Sequence, residues 1–230
     1  MREKEGRVEL SANASSVRNN KKVLLVRHGR TDWNASHRFQ GCSNIPLNET
    51  GLMQAEKLAA RLAGWPVEAV YSSPLDRALE TARAVSRHHS LDPIVLDDLV
   101  EVCFGDWEGK HLKTLHDQEN GLLKAWMKDP FFNLPAGAES WETVRTRTER
   151  AVKRILEDER DNIVVVSHGG VMRALFAVLL DLDPHTVWNI KTSNCAISGV
   201  EVRERQISLA FANDDLHLRN PSEALPLPVW

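Results

Sequence analysis

The 230-residue chain has no apolar run approaching the ~18 residues of a membrane-crossing helix; its longest candidate, Ala174-Leu-Phe-Ala-Val-Leu-Leu180, stops at Asp181. Met1-Arg-Glu-Lys-Glu-Gly-Arg7 is charged, and no apolar stretch behind it could act as a signal peptide, so a cytoplasmic location is expected. Cysteine is scarce. Cys42, Cys103 and Cys195 are odd in number, scattered and free of any Cys-x-x-Cys pair, so reduced thiols are expected rather than a disulfide framework or structural zinc. Neither sign of charge dominates: 29 Lys and Arg against 32 Asp and Glu leave a net charge of -3. Such a balance gives no global attraction to nucleic acid or to an anionic membrane, and any anion recognition must be local. With 42% apolar and 27% charged residues the chain is neither low-complexity nor wholly disordered, and its length suits one sizeable core.

Residues 1–21 are polar and aperiodic and read as a disordered leader, with order beginning at Lys22. Val23-Leu-Leu-Val26 and Ile163-Val-Val-Val166 are short continuous apolar runs, the pattern of parallel strands buried on both faces. Ala69-Val-Tyr71 and Ile94-Val-Leu96 are shorter candidates. Between them, helical spacing predicts helices over 50–62, from Ser73 to about His88, over 140–159 and over 170–180. Ser73, Pro74 and Asp76 are arranged as N-cap, N1 and capping-box acid of the second of these. Cys195 to Phe211 alternates as a hairpin of edge strands. Alternating strands and helices imply a three-layer α/β/α sandwich with a mainly parallel sheet, one domain over 22–218, with a tail over 219–230.

Two strands end alike, in Val26-Arg27-His28-Gly29 and Val166-Ser167-His168-Gly169. Each puts a histidine past the carboxyl end of a buried strand, the edge where open α/β sheets bind ligands. Glycine there allows close approach of backbone, and the following helix amides suit an anion. Arg77, in the first turn of the helix after Tyr71, can reach the same edge, although an isolated arginine there would pair with Asp76 or Glu80. Arg27 directly after an apolar strand is costly unless it meets a permanent anion. Two arginines and two histidines converging in this way describe a phosphate cradle, with Glu101 the carboxylate in reach for proton transfer.

Leu25-Val-Arg-His-Gly-Arg-Thr-Asp-Trp-Asn34, Phe39-Gln-Gly41, Pro46-Leu-Asn-Glu-Thr-Gly51, Tyr71-Ser-Ser-Pro-Leu-Asp-Arg-Ala78, Glu101 through Phe104-Gly-Asp-Trp-Glu-Gly109 and Ser167-His-Gly-Gly170 resemble the histidine phosphatase superfamily, with its phosphoglycerate mutase-like fold. The likeness runs from about Val23 to Phe211 and is strongest to the broad-specificity and α-ribazole phosphatase branch. It implies that His28 becomes phosphohistidine, that Arg27, Arg77 and His168 hold the phosphoryl oxygens, and that Glu101 donates and later accepts the proton. It further implies that Asn34 and Gly169 line the phosphate pocket, with Gln40 and Gly41 on the substrate side. Arg30 and Val100 depart from the family pattern, where an acid and a basic residue are usual.

Three activities fit: a phosphomonoesterase of small phosphate esters, a phosphoglycerate mutase-type phosphoryl transferase, and a non-catalytic phosphate-binding or docking module. The short stretch from Glu101 to His168 favours the first over mutases with a large insertion, and the complete catalytic set disfavours the last. No metal or other cofactor is expected, since His111 and His116 are five apart, wrong for one helix face. The segment 110–138 is expected to cap the site, its Trp126, Met127, Phe131 and Phe132 either walling the leaving group or packing the cap. The tail, with Leu225 to Trp230, can dock on the body or on a second subunit, so a homodimer is one arrangement it allows.

Overall fold

A computed structural model describes residues 20–118, 121–130, 132–203 and 206–219. The elements follow in the order β1 (Lys21–Arg27), α1 (Asp32–Ala35), α2 (Glu49–Leu62), β2 (Ala69–Ser72), α3 (Asp76–Arg87), β3 (Ile94–Val95), α4 (Leu112–Gln118), α5 (Leu122–Lys128), α6 (Trp141–Leu156), β4 (Asn162–Ser167), α7 (Gly169–Leu180), α8 (Pro184–Trp188), β5 (Ile197–Arg203), β6 (Gln206–Asp214) and α9 (Leu216–Arg219). The strands form one sheet in the order β3-β2-β4-β1-β5-β6. β1 to β4 run parallel, whereas β5 and β6 are antiparallel.

The apolar runs of β1 and β4 are continuous because the sheet is covered on both sides. Side chains alternate along a strand. Val23, Leu25, Ile163 and Val165 pack with α6 and α7 residues such as Ala151, Ile155, Leu175 and Phe176. Leu24, Val26, Val164 and Val166 pack on the other face against Leu58 and Leu62 of α2 and Ala78, Ala82 and Val85 of α3. The three-layer α/β/α arrangement is the one that the alternation of strand and helix predicts.

Several local expectations are corrected. The first strand begins at Lys21, whose buried ammonium donates to Asp158 O at 2.7 Å. The leader and tail expected at 1–21 and 219–230 lie, apart from Asn20, Lys21 and Arg219, outside the described residues. β5 is interior to the sheet, between β1 and β6, so only one hairpin strand is an edge. Ser73 does not cap a helix. α3 starts at Asp76 after an extended Leu75, because the Ser73 hydroxyl is turned toward His168 and the Asp76 carboxylate accepts from Asn44.

A second small core holds the segment after the sheet's carboxyl edge. Trp107, Leu115 and Leu123 are buried there with Phe39, Phe104 and Trp126 packed against them. Among the described residues, no helix is long and apolar enough to cross a membrane.

Candidate active site

Parallel pairing of β1 with β4 aligns Val26 with Val166 and Arg27 with Ser167, so the next residue on each strand is a histidine. The His28 and His168 rings lie with centroids 5.0 Å apart, both side chains buried. His28 Nδ1 contacts Gly29 O at 2.6 Å. A carbonyl can only accept, so Nδ1 carries the proton and Nε2 the lone pair. His168 Nε2 meets Ser73 Oγ at 2.7 Å, and its buried Nδ1 has no partner among the described residues.

Arg27 and Arg77 enter from different elements. Arg27 Nη1 donates to Thr192 O at 2.7 Å, and its buried Nε has no partner among the described residues. Arg77 is wholly buried and pairs with neither Asp76 nor Glu80; its Nη1 and Nη2 donate to Ser43 O and Gly41 O, each at 2.7 Å, and its Nε has no partner among the described residues. Gly41 holds its carbonyl there in a left-handed conformation, φ +56°, and a Cβ would fall 2.0 Å from Glu108 Oε1. Both features exclude larger residues. An unpaired buried N–H costs about 1–3 kcal/mol, so the two arginine Nε–H groups, with His168 Nδ1 in the tautomer that protonates it, form a donor set for an anion at this edge.

Glu101 is 8% exposed and reaches the start of α7. Its Oε1 accepts from the amides of Val102, Gly170 and Val171 at 2.9, 3.1 and 3.2 Å, while Oε2 shares only the Gly170 amide at 3.1 Å. The helix amides expected to suit a substrate anion are therefore taken by the chain's own carboxylate. Gly170 makes this possible, since a Cβ there would stand 2.7 Å from Glu101 Oε1.

Burial, reinforced by the charges of Arg77 and Arg27, holds the His28 imidazole well below its ordinary value; burial, Arg77 and His28 do the same to His168. Burial also draws Arg77 down to about 10, still protonated at neutral pH, and lowers Arg27. These shifts set a stability gradient. As pH falls through about 6.5 the unfolded chain binds protons that the folded imidazoles refuse, so unfolding free energy must decline, by up to about 1.4 kcal/mol per pH unit for each such histidine. His217 and His89, also lowered by burial, add to the same slope. Urea unfolding of the protein and of His28→Gln at pH 7.5, 6.5 and 5.5 should therefore show a shallower loss in the variant. Equal slopes would mean that folded His28 takes up its proton as readily as the unfolded chain does.

The remaining expected residues are placed less directly. Asn34 Oδ1 caps the turn at Thr31 and receives Asn194 Nδ2 at 3.3 Å; Gln40 Oε1 accepts from the Thr31 hydroxyl at 2.9 Å. Gly169 lies against the Arg27 guanidinium, its carbonyl accepting from Arg173 Nη1 at 2.9 Å. Four roles escaped the sequence reading. Ser73 holds His168, Thr192 holds Arg27, Asn194 Nδ2 donates to His28 O at 2.9 Å, and Glu108 accepts from the amides of Cys42, Ser43 and Phe104. The polar run Thr192-Ser-Asn194 just before the apolar β5 was the available signal for two of them.

Beside Gly170 opens a small cleft, walled by Val102, Phe104, Trp126, Trp141 and Trp188, with Arg173 lying 4.6 Å over the Trp188 ring. Trp126 lines this cleft and stacks edge-on with Phe39, Phe104, Trp107 and Trp188, the packing role being one of the two expected for it. Met127 and Phe132 are 59% and 72% exposed and do neither. Phe131 lies outside the described residues.

Cys42 and Cys103 correct the expectation of reduced thiols. They form a disulfide, with Cα atoms 4.8 Å apart, and Cys195 remains a buried thiol. Scattered sequence positions concealed the pairing, because the two loops meet only where both return to the sheet's carboxyl edge. Among the described residues one group of potential ligand atoms clusters within 4.8 Å, Cys42, Cys103 and Glu108. Its sulfurs are joined to each other and its carboxylate is occupied by amides, so the set does not suit a metal.

Residues 23–215 match the model of the histidine phosphatase superfamily, branch 1. The adenosylcobalamin/α-ribazole phosphatase of Escherichia coli K12 is 31% identical over 84% of this chain and 95% of its own length. Phosphoserine phosphatase 1 of Hydrogenobacter thermophilus is 32% identical over 86% and 94%. Among solved structures, Bacillus stearothermophilus YhfR superposes with a TM-score of 0.79 at 31% identity, covering 86% of this chain and 99% of that one.

Proposed function

Because the chain belongs to the histidine phosphatase superfamily, we propose that it is a phosphomonoesterase that hydrolyses small phosphate esters without a metal, through a phosphohistidine on His28. The observation that carries this reading is the convergence of unpaired buried donors, Arg27 Nε, Arg77 Nε and His168 Nδ1, on an imidazole whose Nδ1 is already tied to Gly29 O.

His28 Nε2 attacks phosphorus in line, the N–P bond forming as the ester P–O bond breaks. Arg27, Arg77 and His168 take the phosphoryl charge, which is most of what this chemistry requires. Asn34 and Gly169 complete the pocket, Asn34 through its Nδ2. Glu101 supplies the proton to the departing oxygen. That proton belongs on Oε2, since Oε1 already accepts three amides. Water then attacks phosphorus, Glu101 takes its proton, the N–P bond breaks, and neutral His28 is restored as phosphate leaves.

The aromatic cleft beside Gly170, a residue whose amide binds Glu101, offers an apolar bed to the alcohol half of the ester, and Gln40 is proposed to contact the substrate. This suits α-ribazole phosphate or a broad range of apolar esters. Excess EDTA should leave hydrolysis of p-nitrophenyl phosphate unchanged. Activity lost to EDTA and restored by magnesium or zinc would contradict the metal-free route.

A further inference from the structure

The disulfide joins the two loops that position the charges of the site. Cys42 lies between Gly41 and Ser43, whose carbonyls hold both terminal nitrogens of Arg77. Cys103 stands two residues beyond Glu101, in the segment whose Val102 amide binds the Glu101 carboxylate. The same two loops are tied once more without covalent bonds, by Glu108, which accepts from the amides of Cys42 and Ser43 at 3.1 and 3.0 Å and of Phe104 at 2.9 Å. Cys42 and Cys103 are half-buried, whereas Cys195 is buried and its thiol pushed up by burial.

We propose that the Cys42–Cys103 bond is a redox-labile modification site that sets the Arg77 clamp, so that the cross-linked protein binds phosphate groups more tightly than the dithiol. The chemistry balances with a small disulfide such as oxidised glutathione. One cysteine thiolate attacks it and expels a thiol, leaving a mixed disulfide; the second attacks the protein sulfur and expels another. Two protein thiols are oxidised to one disulfide, and one small disulfide is reduced to two thiols. The Cys42 sulfur faces Glu108 Oε1 at 3.3 Å, so on reduction its thiol has an acceptor at hand and Glu108 can continue to hold both loops. Reduction therefore loosens the clamp and does not dissolve it.

The test compares protein equilibrated with oxidised glutathione and with dithiothreitol. Peptide mapping without reductant should link Cys42 to Cys103 only in the first. The cross-linked form should melt about 5–15 °C higher, as a closed loop of this length implies. Calorimetry with inorganic phosphate should give a Kd about 3–10-fold lower for the cross-linked form, and kcat/KM should follow. Cys42→Ser and Cys103→Ala should both resemble the reduced protein and ignore the redox buffer. A melting difference with identical phosphate affinity would reduce the bond to a structural brace and overturn the proposal, as would an absence of cross-linked peptide. The catalytic part rests on the phosphatase reading. Were that reading to fail, neither form would turn over, while the phosphate-binding difference would persist.

Discussion

Replacing His28 by alanine is expected to lower kcat/KM for p-nitrophenyl phosphate by about 10⁴–10⁶-fold, the scale seen when a covalent nucleophile is removed. The size follows from the geometry around the ring. His28 is buried between Arg27, Arg77 and His168, its tautomer set by Gly29 O and its backbone pinned by Asn194. His168 stands 5.0 Å away, but in the tautomer that makes its Nδ1 a phosphate donor its remaining lone pair, on Nε2, accepts from the Ser73 hydroxyl, so neither nitrogen is free to take over the attack. The variant should keep its fold, because the side chain contributes no hydrogen bond beyond the neighbouring carbonyl. Steady-state kinetics with the far-ultraviolet dichroism of both proteins decides it. A loss below tenfold in a folded variant would move the nucleophile elsewhere.

The second large effect concerns Glu101 and depends on the ester. A general acid contributes roughly 10²–10⁴ in rate where the leaving oxygen needs a proton. Nitrophenolate departs without one, whereas the alkoxide of a sugar or riboside phosphate does not. Glu101→Gln keeps the shape and can still place an oxygen against the Gly170 and Val171 amides, but it carries no titratable proton. Phosphorylation of the enzyme should slow by about 10²–10⁴-fold with an alkyl phosphate and much less with p-nitrophenyl phosphate. Single-turnover rates are needed, since the attacking water also uses Glu101. Equal losses for both esters would leave Glu101 a positioning residue that anchors the start of α7, and the proton would have to come from another group.

The sheet and the two histidines were legible for one reason. Apolar runs with no alternation demand cover on both faces, and β1 and β4 are identical in that respect, so their matching Arg-His-Gly and Ser-His-Gly ends had to emerge side by side. Arg77 was legible from its place in the first turn of a helix leaving the same edge. What escaped was set by chain returns rather than by local pattern. Ser73 has the sequence of a cap, but its hydroxyl gains more from His168, a residue far along the chain, than from a helix amide. The α7 amides looked open to substrate because nothing in the sequence says that Glu101 folds back onto them. Cys42 and Cys103 meet only through the loops that Glu108 gathers, and no spacing rule encodes that meeting. Polar contacts of this kind depend on where loops end, which hydrophobic periodicity does not report.

The phosphorylated form of His28 is the intermediate on which the proposed route stands. Enzyme mixed with phosphorus-labelled substrate and quenched within a turnover should carry label that is stable in alkali and lost in acid, as expected of a phosphoramidate. Peptide mapping under alkaline conditions should place it on His28, and His28→Ala should carry none. Label retained by that variant, or found on His168 instead, would contradict the mechanism outright.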